Sequence, residues 1–221
     1  MKHIEWLQHS RVRLALHHLR EGEGLALLVL HGLGERTVGV PPDAVHWPGP
    51  IVGLDFTGHG LSTRPRGGGY SAELLMADAD CAVSALGTTA VFGRGLGAYI
   101  ALLIAGARPS LVRGAVLADG PGLTGGSTGH TSAVILSVPD TPASDDPAVP
   151  DPWALLELTH DIRPADYALA YLRMTFEHSG LAEPVLVSAV SRPAWLAAVV
   201  DQPDVPTMRT PAALTAVARG R

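Results

Sequence analysis

The sequence predicts an α/β protein with a mostly parallel sheet of about eight strands and helices on both faces. Continuous apolar runs such as residues 25–30 are typical of strands buried on both faces of a parallel sheet. Segments with helical periodicity lie between these runs. A turn with three alternating glycines, residues 93–97, joins one strand to a long apolar helix. With 221 residues, 47% of them hydrophobic, we expect a single domain over residues 1–221.

Composition argues against several classes of function. The net charge of -5 disfavours nucleic acid or an anionic membrane as a partner. Cys81 is the only cysteine, so an internal disulfide and a thiolate metal cluster are both excluded. No apolar run approaches the ~20 residues of a membrane span, so we expect no signal peptide and a cytoplasmic location. We also expect no metal and no cofactor.

The first half of the chain predicts a hairpin followed by alternating strands and helices. Residues 11–17 alternate polar and apolar side chains, the period of a half-buried strand. Ser71 and Gly87 are suitable caps for a helix over residues 72–86. The predicted strands are residues 3–8, 11–19, 25–30, 51–55 and 90–92.

The second half predicts a strand over residues 112–119, followed by a short loop-rich cap insertion at about residues 120–163. The segment from 120 to 152 is rich in Gly, Ser, Thr, Pro and Asp and contains one apolar run, residues 133–136, that suggests a brief strand. The later predicted elements are helices at 152–160, 164–178 and 211–219, and strands at 184–190 and 196–200.

Three motifs follow predicted strands. His31-Gly32 ends one, a turn from Gly53 to Ser62 follows another, and the glycine-spaced turn Gly93-Arg94-Gly95-Leu96-Gly97 follows a third. Together they resemble the α/β-hydrolases, in which the corresponding segments supply an oxyanion-hole loop, a structural turn and the G-x-S-x-G nucleophile elbow. The resemblance covers most of the chain and implies the α/β-hydrolase fold.

The resemblance also locates the three catalytic positions, and none carries the usual residue. The nucleophile position is Gly95, the acid position after the penultimate strand is Ser191, and the base position aligns with Asp204. No histidine follows His178, so the usual base is missing in any alignment. We therefore expect a catalytically silent homologue that binds a small ligand or a protein partner, including a second copy of itself.

The predicted ligand-binding residues surround the cleft at the elbow: His31, Gly32, Leu33, Arg94, Gly95, Leu96 and Asp119. Each has a structural alternative. Arg94 could hold an anion or form a salt bridge with a nearby carboxylate, and His31 could serve a ligand or brace its own loop. Asp119 ends a strand at the carboxyl edge of the sheet and is the best candidate for a relocated acid.

A second hypothesis is an enzyme with unconventional residues, either an esterase-like hydrolase or a lyase. Asp119, His31 and Ser127 are its fallback candidates. The absent late histidine counts against it. Stoichiometric labelling of a serine by a fluorophosphonate would favour this hypothesis over the silent homologue.

Overall fold

A computed structural model describes residues 3–38, 45–126, 144 and 146–220. Its strands are β1 His3–His9, β2 Val12–Arg20, β3 Ala26–Leu30, β4 Ile51–Leu54, β5 Thr89–Arg94, β6 Val112–Ala118 and β7 Val185–Val187. Its helices are α1 Ala72–Leu86, α2 Leu96–Ala107, α3 Pro152–His160, α4 Ala165–Ser179, α5 Ala194–Val200 and α6 Thr210–Arg219.

Within the described ranges, seven strands form one open sheet in the order β1-β2-β4-β3-β5-β6-β7. β1 pairs antiparallel with β2, and β2 antiparallel with β4, whereas all the remaining pairs are parallel. This arrangement confirms the predicted mostly parallel sheet. The carboxyl ends of the adjacent strands β3, β5 and β6 therefore meet at one edge of the sheet, where His31, Gly95 and Asp119 follow them.

Helices cover both faces of the sheet, as predicted. Apolar side chains of α1, α2, α4 and α5 share one core with one face of the sheet. The opposite face packs against α6 through Ala213, Leu214 and Val217. Helix α2 is buried from Leu96 to Gly106 because it packs against strands β5 and β6 and against helices α1 and α4. The glycine-spaced turn therefore leads directly into a helix that is buried along nearly its whole length.

The predicted strand at residues 196–200 is wrong. This segment belongs to helix α5, which begins after Pro193 and buries Trp195, Leu196 and Val199. The spacing of these apolar residues is compatible with one face of a helix, and the short run could not be assigned by periodicity alone. Beyond α5 the sheet gains a single parallel bridge between Thr207 and Val187. The brief strand predicted at residues 133–136 lies outside the described residues.

Candidate functional site

The glycine-spaced turn between β5 and α2 has the sharp geometry of a nucleophile elbow. Gly95 has φ +59° and ψ -124°, in the region that favours glycine. A Cβ on Gly93 would lie 2.1 Å from the Gly97 oxygen, and one on Gly97 would lie 2.4 Å from the Leu30 oxygen. The two outer glycines are required because strand, turn and helix approach one another this closely.

The space beside Gly95 is occupied by the segment that follows β6. A Cβ on Gly95 would lie 2.1 Å from the Pro121 oxygen and 2.6 Å from the Gly120 carbonyl carbon. Residues 119–126 are called the plug loop below. With this loop in place, no side chain larger than hydrogen fits at the position where the family carries its nucleophile.

The plug loop is also hydrogen-bonded to two amides beside the elbow. The carbonyl oxygen of Pro121 accepts hydrogen bonds from the Leu33 amide at 3.0 Å and from the Leu96 amide at 2.9 Å. In the α/β-hydrolase arrangement, the oxyanion hole is made by the amide after the nucleophile and an amide from the loop after β3. In this chain Leu96 follows the elbow residue Gly95, and Leu33 lies in the loop after β3. The amides of both predicted ligand residues are thus bound to a carbonyl of their own chain.

His31 is buried and braces the loop that carries Leu33. Its Nε2 accepts a hydrogen bond from the Phe56 amide at 3.1 Å, so its Nδ1 carries the proton and donates to the Gly32 oxygen at 2.8 Å. Burial lowers the pKa of His31, which keeps the ring neutral. Both ring nitrogens are therefore engaged with backbone, the structural alternative considered for this residue.

His59 plays a matching role in the same layer. Its Nε2 accepts from the Gly34 amide at 3.1 Å, and its Nδ1 donates to the Thr57 oxygen at 3.2 Å. Burial lowers the pKa of His59 to about 3. This neutral histidine ties the loop after β3 to the turn after β4.

Asp55 is the third polar side chain of this layer. It accepts from the Thr37 amide at 2.7 Å, from the Leu61 amide at 2.9 Å and from His17 Nε2 at 2.9 Å. Burial alone would raise the pKa of Asp55, but the hydrogen bonds from His17 and Leu61 outweigh it and lower the pKa. The carboxylate is thus fully engaged in holding the turn.

Arg94 forms a salt bridge with a neighbouring carboxylate. Its Nη1 donates to Glu35 Oε1 at 2.8 Å, and Glu35 Oε2 accepts from the Gly32 amide at 2.9 Å. Because Glu35 spans the two, it fixes the start of the loop after β3 to the end of β5. The predicted anion ligand of Arg94 has an internal counterpart in this carboxylate.

Asp119 lies where β6 ends and receives two backbone hydrogen bonds from the loop after β7. The Val190 amide donates at 2.5 Å and the Ser191 amide at 3.0 Å. Burial would raise the pKa of Asp119, but these amides outweigh it, so the pKa is lowered and the carboxylate is charged. Asp119 thus places its carboxylate beside the acid position that the sequence assigned to Ser191.

Asp204, which the sequence aligns with the base position, lies between helix α5 and the bridge residue Thr207. It lines a cavity of about 450 Å³ against α4, together with Arg173 and Phe176. Helix α5 stands where a strand was predicted, so the alignment at Asp204 has lost one of its reference points.

The predicted ligand residues do not share one cleft. His31 and Arg94 line a cavity of about 390 Å³ with Glu35. Leu33 and Asp119 line another, of about 340 Å³, with Ser191. Ser127 lies outside the described residues. Among the residues the structure does describe, no group of three or more His, Cys, Asp and Glu side chains is placed to hold a metal ion.

Sequence reasoning missed the part played by the plug loop. The only local signal is its run of small residues: Gly120 tolerates no side chain, because a Cβ there would lie 2.8 Å from the Gly95 nitrogen. Gly122 has φ +74°, where a side chain would be strained. Nothing in the sequence indicates that the Pro121 oxygen would reach two amides from different loops.

Comparisons with known proteins support the fold. No family model and no curated protein matches the sequence. The structure resembles a thioesterase domain from the curacin biosynthetic pathway (TM-score 0.65, 15% identity), covering 99% of this chain and 96% of that one. It also resembles a hypothetical protein from Pseudomonas aeruginosa PAO1 (TM-score 0.60, 17% identity), covering 98% of this chain and 97% of that one.

A third solved structure, a bacterial membrane phospholipase A, matches with a TM-score of 0.51 and 17% identity over 99% of this chain and 82% of that one. At these identities, the similarity defines the fold alone. The protein is an α/β-hydrolase-fold protein with a seven-stranded, open sheet. None of its described helices has both the length and the apolar character needed to cross a bilayer.

Proposed function

We propose that this protein acts by binding, not by acyl transfer, and that it is a catalytically silent member of the α/β-hydrolase fold. The observation that carries this proposal is the Pro121 carbonyl, which accepts hydrogen bonds from both the Leu33 and Leu96 amides. In a working esterase those amides stabilise the negative oxygen of the tetrahedral intermediate, and loss of one such donor costs on the order of 10² to 10³ in rate.

The loss at Gly95 acts in the same direction. A glycine offers no oxygen or sulfur to attack a carbonyl carbon, and loss of the nucleophile of a triad costs roughly 10⁶ in kcat. His31 offers no substitute for the missing base, because both of its ring nitrogens hold backbone groups. A glycine thus stands at the nucleophile position, and His31 and the two amides are already hydrogen-bonded within the chain.

The size and lining of the cavity beside the plug loop favour a small polar ligand and disfavour a long apolar chain. Its volume of about 340 Å³ is at the small end of ligand sites. Asp119 supplies a charged carboxylate there, and Thr124, Thr159 and Ser191 supply further polar groups. A molecule with hydroxyl or amine groups suits this lining, because those groups donate to carboxylate and hydroxyl oxygens.

The single cysteine is compatible with the reducing cytoplasm as the location of this protein.

Labelling and turnover with the purified protein test the proposal. We expect no stoichiometric labelling by a fluorophosphonate and no hydrolysis of p-nitrophenyl acetate or an acyl thioester above the buffer rate. Asp119→Asn is the matched variant, since it removes the charge of the best fallback acid. Hydrolysis above background that falls in Asp119→Asn, or labelling of Ser127, would establish the alternative hydrolase with unconventional residues.

Ligand binding is tested separately by NMR with a library of small alcohols and amines. We expect hits to shift the amide signals of Asp119 and Ser191, and the shifts to weaken in Asp119→Asn. Shifts confined to the cavity at Asp204 would place the binding site elsewhere and contradict the proposed location.

A further inference from the structure

The plug loop is held from three sides besides the elbow. Its Gly122 oxygen accepts from Arg163 Nη1, which follows helix α3. Its Leu123 oxygen accepts from Trp195 Nε1 at 2.9 Å, which belongs to α5. Its Gly126 amide donates to the Asp161 oxygen at 2.8 Å. The chain that follows Pro121 is thus held by elements distant in sequence.

Arg163 is the most unusual of these partners. It is only 2% exposed, yet Nε and Nη2 have no hydrogen-bond partner among the described residues. Burying unpaired guanidinium N–H groups is costly, and arginine at this site still keeps its charge at neutral pH, since burial lowers its pKa only to about 10. The hydrogen bond from this guanidinium to Gly122 is charge-assisted and correspondingly strong.

Arg163 and Trp195 are linked through a residue of the elbow helix. The Arg163 guanidinium carbon lies 5.3 Å from the centre of the Tyr99 ring, and the Trp195 ring meets the same ring edge-on at 5.0 Å. Tyr99 and Trp195 are each 1% exposed. The two donors to the plug loop therefore pack against helix α2, whose first amide, that of Leu96, donates to the Pro121 oxygen.

We propose that Arg163 acts as a latch on the plug loop. By donating to the Gly122 carbonyl, it keeps the adjacent Pro121 carbonyl hydrogen-bonded to the Leu33 and Leu96 amides. This inference rests on the proposed function and adds a conformational device to it. Arg163 is a positioning residue in this device, because it acts on the amides only through the loop. When the Arg163–Gly122 hydrogen bond is lost, the Leu33 and Leu96 amides become exposed together while the sheet and the elbow remain folded.

Amide hydrogen exchange measured by NMR on the full chain tests the latch. The Leu33 and Leu96 amides have the Pro121 oxygen as their acceptor, whereas the Gly95 amide donates to Ala118 at the end of β6. In Arg163→Met, which keeps the length of the side chain but removes its donors, we expect Leu33 and Leu96 to exchange about tenfold faster. Gly95 is expected to keep its wild-type rate.

The matched control is Arg113→Met, which removes an arginine bond to a backbone oxygen, Ser179, away from the plug loop. It should leave both amides unchanged. Unchanged exchange in Arg163→Met overturns the latch, and so does equal acceleration of all core amides, which would assign Arg163 to general stability.

If Arg163→Met does not fold, Arg163→Lys is the second variant. It keeps the positive charge at the buried site and removes the planar guanidinium that donates to the Gly122 oxygen. Faster exchange confined to Leu33 and Leu96 supports the device, and any other pattern overturns it. Failure here leaves the proposed function standing, because that proposal is decided by turnover and labelling.

Discussion

The carbonyl oxygen of Pro121 lies 2.9 Å from the amide nitrogen of Leu96, the first residue of the helix after the elbow. In an active hydrolase the corresponding amide faces the substrate. Here the amide is bonded within the chain, and a neutral internal hydrogen bond contributes about 1 kcal/mol that a ligand oxygen would have to replace. The second bond, from the Leu33 amide to the same oxygen, adds a similar amount.

Gly95→Ala is expected to destabilise the protein by about 3 kcal/mol or more, because the new Cβ meets the Pro121 oxygen at 2.1 Å. Gly87→Ala is the matched control: Gly87 has φ +71° and ψ -139°, close to the values of Gly95, but a Cβ there meets nothing within 4 Å. Its expected cost is only the strain of a side chain at these backbone angles, about 1 to 3 kcal/mol, which Gly95→Ala carries in addition to the clash. Urea unfolding of the two variants measures the difference. Equal losses of unfolding free energy would show that residues 120–121 move aside at no cost.

Gly95→Ser is expected to give no ester hydrolysis above background. Both ring nitrogens of His31 are bonded to backbone groups and cannot remove the proton of the introduced hydroxyl, which could enter only if residues 120–121 moved away. The assay is p-nitrophenyl acetate turnover on folded protein, with Gly87→Ser as the control for a serine added at a glycine of similar backbone angles. Clear turnover in Gly95→Ser alone would show that a base does serve this position and that residues 120–121 do not block it.

Stability is expected to fall as the pH drops from about 6.5 to 3, in part through His59. Its pKa is about 3 in the folded protein and near 6.5 when unfolded, so the unfolded state binds the extra proton in this window. The contribution is complete above pH 6.5 and is lost at up to about 1.4 kcal/mol per pH unit below it.

Unfolding free energies of wild type and His59→Gln across this pH range check the prediction. The variant should show a shallower acid slope, because its side chain does not titrate. Identical slopes for the two proteins would mean that His59 is protonated without unfolding.

Asp55→Asn is expected to destabilise the fold by about 3 kcal/mol at pH 7, because it replaces a buried carboxylate that accepts hydrogen bonds from His17 Nε2 and from two backbone amides. Since the folded pKa of Asp55 is lowered, its contribution is lost as the pH falls through that pKa. The difference between wild type and variant should therefore shrink in acid.

Asp80→Asn is the comparison for this variant. It removes a carboxylate from a salt bridge with Arg108 whose side chains are 31% and 48% exposed, so its expected cost is below about 1 kcal/mol. Chemical unfolding at pH 7 and pH 3 gives both differences. A smaller loss in Asp55→Asn than in Asp80→Asn would show that the turn after β4 does not depend on the carboxylate.

Much of the fold could be predicted from the sequence because its signals are local. The caps Ser71 and Gly87 marked both ends of α1, and the Ser71 side chain does accept from the Leu74 amide. The alternating pattern of residues 11–17 identified β2, since a period of two places side chains on opposite faces of a strand. Residues 196–200 failed because five apolar residues in a row fit either a strand or a helix.

By itself the sequence determined the α/β architecture and the glycine spacing of the turn between β5 and α2, with no side chain at Gly95, since each follows from residue type and spacing along the chain. Only the tertiary structure decided that the Pro121 oxygen accepts from both the Leu33 and Leu96 amides and that Arg163 holds its neighbour Gly122. These contacts join the segments after β3, β6 and α3 to the start of helix α2. A backbone oxygen carries no mark of its partner in the sequence, because every residue has one.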